Sequence, residues 1–138
     1  MSESGPADRG TVVPSTVDPD AVRFGPDGLV PAVIVDAGDR TVLMLAWMNR
    51  ESLERSLVSG RTVFWSRSRE ELWEKGATSG HVQRIVDVKI DCDAGALVIT
   101  VEQTGVACHT GERSCFHRSV TSAVTSPVIA PVTPPAAL

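Results

Sequence analysis

Three cysteines lie close together in a chain of 138 residues: Cys92, Cys108 and Cys115. Zinc binds thiolate and imidazole ligands, and a catalytic zinc has three protein ligands and one position open to water. The intervals of 15 and 6 residues between the cysteines are not those of a zinc finger. If these thiols bind zinc, they must therefore converge from separate segments or from two subunits. The alternative is that three small thiols are packed together in a hydrophobic core.

Two histidines accompany the cysteines, since His109 follows Cys108 directly and His117 lies shortly after Cys115. Imidazole is the side chain that titrates nearest neutral pH, so either histidine could be a fourth ligand or a proton carrier. We expect His109 to take part in the chemistry and His117 to be a bystander.

Two carboxylates, Asp91 and Asp93, flank Cys92 in the sequence. Residues two apart on a β-strand project to the same side, so these carboxylates could hold a hard cation such as Mg²⁺, which prefers oxygen ligands. The alternative is a solvated strand face, because Asp87 and Lys89 continue the same row.

A glycine-rich loop, residues 76–81, has the sequence Gly-Ala-Thr-Ser-Gly-His with basic residues on either side. Backbone amides, hydroxyls and nearby cations suit phosphate, whose oxygens accept several hydrogen bonds together. The basic residues are Arg67, Arg69, Lys75 and Arg84. The loop is not a P-loop, and residues 67–74 could instead form a solvated helix face.

Short strands and one helix are predicted to position these residues. β-branched and apolar runs predict strands over residues 29–36 and 41–48, joined by a glycine-containing turn, and a further strand over residues 62–66. Asn49 and Gly60 are suited to begin and end a helix between them. Ser68-x-x-Glu71 has the pattern of a capping box, which predicts a short helical segment ended by Gly76.

The second half of the chain predicts a β-hairpin. Alternating apolar and polar residues predict one strand over residues 86–93, and Leu97, Ile99 and Val101 predict a returning strand. The turn between these strands places Cys92 near the tip of the hairpin. The order of elements indicates a strand-rich α+β domain.

Composition limits the kind of protein that the chain can be. It has 13 basic and 17 acidic residues, a formal charge of −4 and 42% hydrophobic residues, which fits one globular domain, predicted over residues 21–118. No apolar run is long enough to span a bilayer and no secretion signal is evident. We therefore expect a cytoplasmic protein that binds neither membrane nor nucleic acid. Residues 1–20 predict a flexible segment and proline-rich residues 119–138 a disordered tail.

Four segments together resemble the signature motifs of the phosphoribosyl-AMP cyclohydrolase family. They are LMLAWMNRESL at 43–53, FWSRSREELWEKGATSGH at 64–81, DCDAGAL at 91–97 and ACHTGERSCFHR at 107–118. The resemblance covers nearly the whole predicted domain, in the order of the family. It implies a small mixed-sheet roll or pseudobarrel with one main helix, assembled as a homodimer.

The implied activity is the third step of histidine biosynthesis, the hydrolytic opening of the adenine ring of phosphoribosyl-AMP between N1 and C6 by a zinc-activated water. The resemblance implies Cys92, Cys108 and Cys115 as zinc ligands contributed across the homodimer interface, and Asp91 and Asp93 as ligands of Mg²⁺. Zinc adenine deaminases attack the same kind of carbon, but their H-x-E and P-C-x-x-C motifs do not occur here.

The resemblance also implies a pocket for a small phosphorylated nucleotide. The residues that fall in the matching segment are Arg67, Lys75, Thr78, Ser79 and His81. We expect His109 to be the catalytic residue that transfers a proton.

Two positions depart from the family pattern. Gly95 occupies the last position of D-C-D-x-D, which removes a carboxylate and predicts weaker binding of Mg²⁺. Ala77 stands where the loop pattern K-G-E/D-T-S-G carries an acid. Two alternatives therefore stay open: a relative that hydrolyses a different purine-like nucleotide, or a non-catalytic, zinc-stabilised dimer that binds a nucleotide.

Overall fold

A computed structural model describes residues 17–120. In chain order the elements are β1 (Val30–Asp36), β2 (Val42–Met48), α1 (Arg50–Ser59), β3 (Val63–Ser66), β4 (Glu71–Glu74), β5 (Gln83–Ile90) and β6 (Leu97–Gln103), preceded by a 3-10 turn at Pro19–Ala21. Most of the predicted N-terminal segment and nearly all of the predicted tail lie outside the described residues. Of the N-terminal segment the structure describes residues 17–20, where Val17 is buried.

The main sheet has the strand order β2-β1-β6-β5, and β3 and β4 form a separate hairpin. β1 pairs in parallel with β6, whereas the other pairs are antiparallel. The prediction of a strand-rich α+β domain with a mixed sheet and one main helix is confirmed. The predicted pseudobarrel is not closed within residues 17–120, because β2 and β5 end the sheet without pairing to each other.

One face of the sheet forms the hydrophobic core. Ile34 of β1, Met48 of β2 and Ile99 of β6 have fully buried side chains, and α1 contributes Leu53. Burial of each such side chain stabilises the fold by roughly 1.5–3 kcal/mol relative to exposure.

No helix within residues 17–120 is long and apolar enough to cross a bilayer.

The helix α1 has the ends that the sequence predicts. The Asn49 side chain accepts a hydrogen bond from the Ser52 N–H at 2.8 Å, and the Ser52 hydroxyl accepts one from the Asn49 N–H at 2.9 Å. This reciprocal pair satisfies two amides that the first turn leaves without intrahelical partners. Gly60 ends the helix in the left-handed conformation, with φ of 78°. The helix packs against β3 and so fixes the hairpin that leads to the glycine-rich loop.

The helical segment predicted over residues 68–76 is wrong, because the chain forms β4 there. The N–H of Glu70 donates to the carbonyl of Ser66 at 2.8 Å, and Glu70 has φ of 54°, so the chain reverses direction. The Trp73 ring then packs on Phe64 of β3, with ring centroids 5.0 Å apart. Burial of aromatic surface between the two strands outweighs the local capping preference.

Strand β5 begins and ends three residues earlier than predicted. The register shifts between Ile85 and Asp87, which is a β-bulge. Because of the extra residue, Ile85 and Val88 are buried, whereas Val86 is only partly buried. The predicted alternation therefore holds for only part of the strand, and Cys92 lies in the turn that follows it.

Candidate functional site

The cysteine segment forms a tight loop over residues 107–115, here called the thiol loop, that brings two of the three cysteines together. Two backbone hydrogen bonds of 3.0 and 3.1 Å close the loop on itself. The N–H of Cys115 donates to the carbonyl of Leu43 at 2.7 Å, which docks the loop on β2. As a result, the thiols of Cys108 and Cys115 lie close enough for each to shift the pKa of the other.

Within this pair, Cys108 is the thiol that the loop favours as a thiolate. The Thr110 hydroxyl donates to its sulfur at 3.0 Å. That bond, then the Thr110 backbone amide, the Cys115 thiol and the charge of Lys75, lower the pKa of Cys108 below its usual value of 9.0. The pKa of Cys115 is raised, first because its sulfur is withdrawn from water although the residue as a whole is exposed, and then by Cys108.

The ammonium group of Lys75 lies beside the thiol pair. Its Nζ donates to the carbonyl of Ala107, the residue before Cys108. Its positive charge acts on the thiols of both Cys108 and Cys115. The same nitrogen is 5.9 Å from the centre of the Trp73 ring, within reach of a cation–π interaction.

Cys92 lies apart from this pair, in the turn between β5 and β6, as predicted. It is exposed, and its sulfur is 3.9 Å from Oδ1 of Asp93. The alternative that all three thiols are packed in a core is wrong, since Cys108 is buried while Cys92 and Cys115 are exposed.

The thiol pair fits the chemistry of zinc, but the described part of one chain does not complete a site. Two sulfur ligands, one with a lowered pKa, are suitable zinc ligands. Between Val17 and Val120, however, a single chain contains no group of three or more His, Cys, Asp and Glu side chains arranged to hold a metal ion. If zinc binds to this pair, a third protein ligand has to come from outside the described part of the same chain.

Asp91 and Asp93 are exposed in the turn beside Cys92. The expectation that they project from one strand face is wrong, because β5 ends at Ile90. Oδ1 of Asp91 instead accepts a hydrogen bond from the N–H of Gly95 at 2.8 Å, which tightens the turn. The turn therefore offers carboxylate oxygens next to a thiol.

The glycine-rich loop joins β4 to β5 and folds back on itself. The N–H of Gly80 donates to the carbonyl of Gly76 at 2.8 Å, and the N–H of His81 donates to the Ser79 hydroxyl at 3.1 Å. Thr78 and Ser79 are exposed, so their hydroxyls are accessible to a ligand.

The imidazole of His81 lies directly against Gly105, in the segment that leads to the thiol loop. A Cβ atom at Gly105 would lie 2.5 Å from the ring, and Gly105 has φ of +69°. Both the close approach and the left-handed conformation favour glycine here. The contact brings the glycine-rich loop next to the chain that leads to Cys108.

A buried polar network connects the strands below both loops. The Thr62 hydroxyl donates to Oε1 of Gln83 at 2.9 Å, and Nε2 of Gln83 donates to Oε1 of Gln103 at 2.8 Å. Nε2 of Gln103 then donates to the carbonyls of His81 at 3.1 Å and Thr104 at 2.8 Å. The sequence analysis missed this network because glutamines 20 residues apart have no local signature.

Arg67 lies apart from the other predicted substrate contacts. It directly follows β3, and its Cζ is 4.6 Å from the centre of the Trp47 ring. Lys75 directly follows β4, at the opposite end of the hairpin, so the two side chains start roughly 17 Å apart along the strand direction. The structure thus groups Lys75 and His81 with the thiol loop, but not Arg67.

The two histidines near the thiols are exposed, His109 beside Cys108 within the thiol loop and His117 beyond it. Sequence analysis also missed Thr110, although a hydroxyl two residues after a cysteine is a signal that could have found it.

Comparison with known sequences adds an independent finding. The family described as phosphoribosyl-AMP cyclohydrolase matches residues 44–117. A phosphoribosyl-AMP cyclohydrolase of Roseobacter denitrificans is 56% identical over 103 residues, which cover 75% of this chain and 80% of the relative. One of Rhodospirillum centenum is 54% identical over 115 residues, covering 83% and 86%.

A histidine biosynthesis bifunctional protein HisIE of Thermosynechococcus vestitus is 65% identical over 100 residues, covering 72% of this chain but 47% of the relative. The chain spans about half the length of the bifunctional relatives it matches. Fold and site define an α+β domain with a polarised thiol pair beside a glycine-rich loop. The chain belongs to the phosphoribosyl-AMP cyclohydrolase family.

Proposed function

We propose that this protein opens the adenine ring of phosphoribosyl-AMP by hydrolysis, the third step of histidine biosynthesis. The single observation that carries the proposal is the Cys108–Cys115 pair, with its lowered thiol pKa, beside the glycine-rich loop. Family membership supports the choice of substrate. In the reaction the oxygen of water joins C6, the bond between C6 and N1 breaks, and N1 receives a proton. The cytoplasmic location stays a prediction from the sequence.

Cys108 and Cys115 would hold a zinc ion, with Cys92 of the partner subunit in a homodimer as the third ligand. Zinc bound there supplies Lewis-acid activation of water near neutral pH. The exposed position of Cys92 at the tip of the β5–β6 hairpin supports this arrangement, because the thiol is accessible to another subunit. A shared site also explains why the described part of one chain does not complete it.

Asp91 and Asp93 of the same turn would bind Mg²⁺ through their exposed oxygens. Because they flank Cys92, both metals would then lie at the boundary between the subunits. Mg²⁺ keeps several of its waters when it binds proteins, so two carboxylates are a sufficient, if weak, set of ligands.

The glycine-rich loop would bind the substrate. The exposed hydroxyls of Thr78 and Ser79 suit a phosphate group, and the half-buried imidazole of His81 would contact the nucleotide between the two loops. Arg67, which follows β3 at the end of the β3–β4 hairpin opposite Lys75, would contact a nucleotide only from another direction or another subunit. His109, exposed beside Cys108, is placed to move a proton to N1.

Replacement of one thiol tests this proposal. Cys108→Ser should lose both tight zinc retention and ring opening, measured as zinc content and as the absorbance change of the product. Full turnover by a metal-free Cys108→Ser protein would contradict the zinc mechanism. His109→Ala should lower turnover and leave zinc content unchanged, with His117→Ala as the matched control. Wild-type turnover by His109→Ala would remove the role in proton transfer.

A mixing experiment tests whether the site is shared. Cys92→Ser and Cys115→Ser should each lack intact sites, but a dimer formed from one chain of each has one site with all three thiols and one site with two replaced. Unfolding and refolding the two variants together should therefore recover part of the zinc binding and turnover. No recovery, despite formation of mixed dimers, would contradict a site built from two subunits.

A further inference from the structure

The side chain of Lys75, which the resemblance places in the substrate pocket, is directed to the thiol loop in this structure. Its side chain is partly buried, and its Nζ donates to the carbonyl of Ala107 instead of projecting with Thr78 and Ser79 at the loop surface. The backbone of Lys75 is fixed as well, since its N–H donates to the carbonyl of Thr62 at 3.1 Å. The ammonium group is therefore held at the base of the thiol loop.

Among the described residues, no carboxylate pairs with Lys75. Across residues 17–120, no Asp or Glu oxygen lies within ion-pair distance of its Nζ. The other lysine of the chain, Lys89, pairs with Asp87 at 2.9 Å. Three thiolates around one Zn²⁺ leave an excess of one negative charge, which a neighbouring ammonium offsets at short range.

We propose that Lys75 is a positioning residue of the thiol site, which fixes the backbone at Ala107 and offsets the negative charge of the cysteine sulfurs. The assignment of Cys108 and Cys115 as zinc ligands, on which this inference rests, comes from the proposed function. The hydrogen bond to Ala107 and the absence of a described carboxylate partner carry the inference. Groups outside the ligand set commonly change metal affinity by about 10- to 100-fold when they are replaced.

Measurements of zinc affinity in variants of Lys75 distinguish the effect of its positive charge from the effect of its hydrogen bond. A chromophoric chelator is titrated into the zinc-loaded wild type and into Lys75→Met, Lys75→Gln and Lys75→Arg. We expect Lys75→Met and Lys75→Gln to raise the Kd for zinc about tenfold, and Lys75→Arg, which keeps the charge, to stay closer to the wild type. Lys89→Met is the matched control and should leave the Kd unchanged.

Alkylation provides a second readout that does not depend on turnover or on metal affinity. A positive charge favours anionic iodoacetate over neutral iodoacetamide, so the ratio of the two rates reports the local potential. This ratio, measured for Cys108 by mass spectrometry, should fall in Lys75→Met and stay unchanged in Lys89→Met. The ratio cancels changes in sulfur exposure that would affect both reagents.

A role of Lys75 in the thiol site and a role in substrate binding give different results. Unchanged zinc affinity and alkylation ratio in Lys75→Met, together with a raised KM for phosphoribosyl-AMP, would overturn the proposal and restore Lys75 as a substrate contact. A wild-type zinc affinity in Lys75→Gln, which keeps a hydrogen-bond donor but not the charge, would show that the charge has no role. A wild type that binds zinc but does not open the ring would contradict the proposed function, while the affinity and alkylation results would still support the role of Lys75.

Discussion

Arg113 of the thiol loop donates to both carboxylate oxygens of Asp39, with Nη1–Oδ2 and Nη2–Oδ1 distances of 2.9 and 3.0 Å. The same guanidinium donates to the Thr41 hydroxyl at 3.1 Å. Asp39 and Thr41 lie in the connection between β1 and β2, so the Arg113–Asp39 pair attaches the thiol loop to the first hairpin. The hydrogen bonds from Arg113, and then from the Thr41 amide, hold the pKa of Asp39 well below its usual range.

The first prediction concerns the pH dependence of this pair. Because the folded state lowers the pKa of Asp39, its stabilising contribution is complete above the ordinary value of 3.8 and is lost as the pH falls below it. Asp39→Asn should therefore lower the free energy of unfolding at neutral pH, and the difference from the wild type should shrink in acid. Urea denaturation of both proteins, from neutral pH to below pH 3.8, measures this difference in the free energy of unfolding.

The control for that prediction is Glu102→Gln, which breaks the exposed pair with Arg84 on β5 and β6, away from the thiol loop. Zinc affinity should fall in Asp39→Asn and stay unchanged in Glu102→Gln. A stability difference for Asp39→Asn that persists undiminished in acid would show that Arg113 does not act through the ionised carboxylate.

The second prediction concerns the buried network. Thr62→Val keeps the shape of the side chain but leaves Oε1 of Gln83, which is fully buried, without its donor. The loss should lower the free energy of unfolding by about 1–3 kcal/mol. Thr104→Val makes the same chemical change at an exposed position and should cost much less. Equal destabilisation in the two variants, measured by urea denaturation, would argue against a stabilising network.

The third prediction concerns the contact between Gly105 and His81. Gly105→Ala must displace the imidazole, because the new Cβ would lie 2.5 Å from it. Gly28→Ala is the matched control: Gly28 has φ of +79°, so the backbone strain is similar, but nothing lies within 4 Å of the added atom. We expect KM for the substrate to rise in Gly105→Ala and to match the wild type in Gly28→Ala. A similar KM in both variants would mean that His81 does not contact the substrate.

The fourth prediction concerns the carboxylate that Gly95 lacks. A Cβ at Gly95 would meet no atom within 4 Å, so Gly95→Asp should fold without strain and add an oxygen ligand beside Asp91 and Asp93. The magnesium concentration that gives half-maximal activity should fall several-fold. Ala77→Glu tests the second missing acid in the same assay. If neither variant changes magnesium dependence, these positions do not belong to a magnesium site.

The sequence predicts those elements whose signals are local. The Asn49 and Gly60 caps, the first hairpin and the turn that holds Cys92 are confirmed, because each depends on residues within a few positions of one another. The helical segment expected after Ser68 is wrong, because Trp73 packs across a hairpin on Phe64. A capping pattern depends only on residues that are close in sequence, so it cannot predict that distant contact.

The candidate site was predictable in its residue types and only partly in its geometry. Motif resemblance identified the thiols, but the distance between Cys92 and the other cysteines depends on sheet topology and on the number of subunits. The pairings of Lys75 with Ala107 and of Arg113 with Asp39 join segments 32 and 74 residues apart. Such contacts follow from the packed fold and have no signature in sequence spacing.

The most direct test of the account is the hydrolysis of phosphoribosyl-AMP by the purified full chain, with zinc content determined on the same sample and magnesium titrated. We predict ring opening by the zinc-containing protein, stimulated by magnesium, and loss of turnover when a chelator removes the zinc. A folded protein that retains zinc but leaves phosphoribosyl-AMP intact at every magnesium concentration would contradict the proposed function.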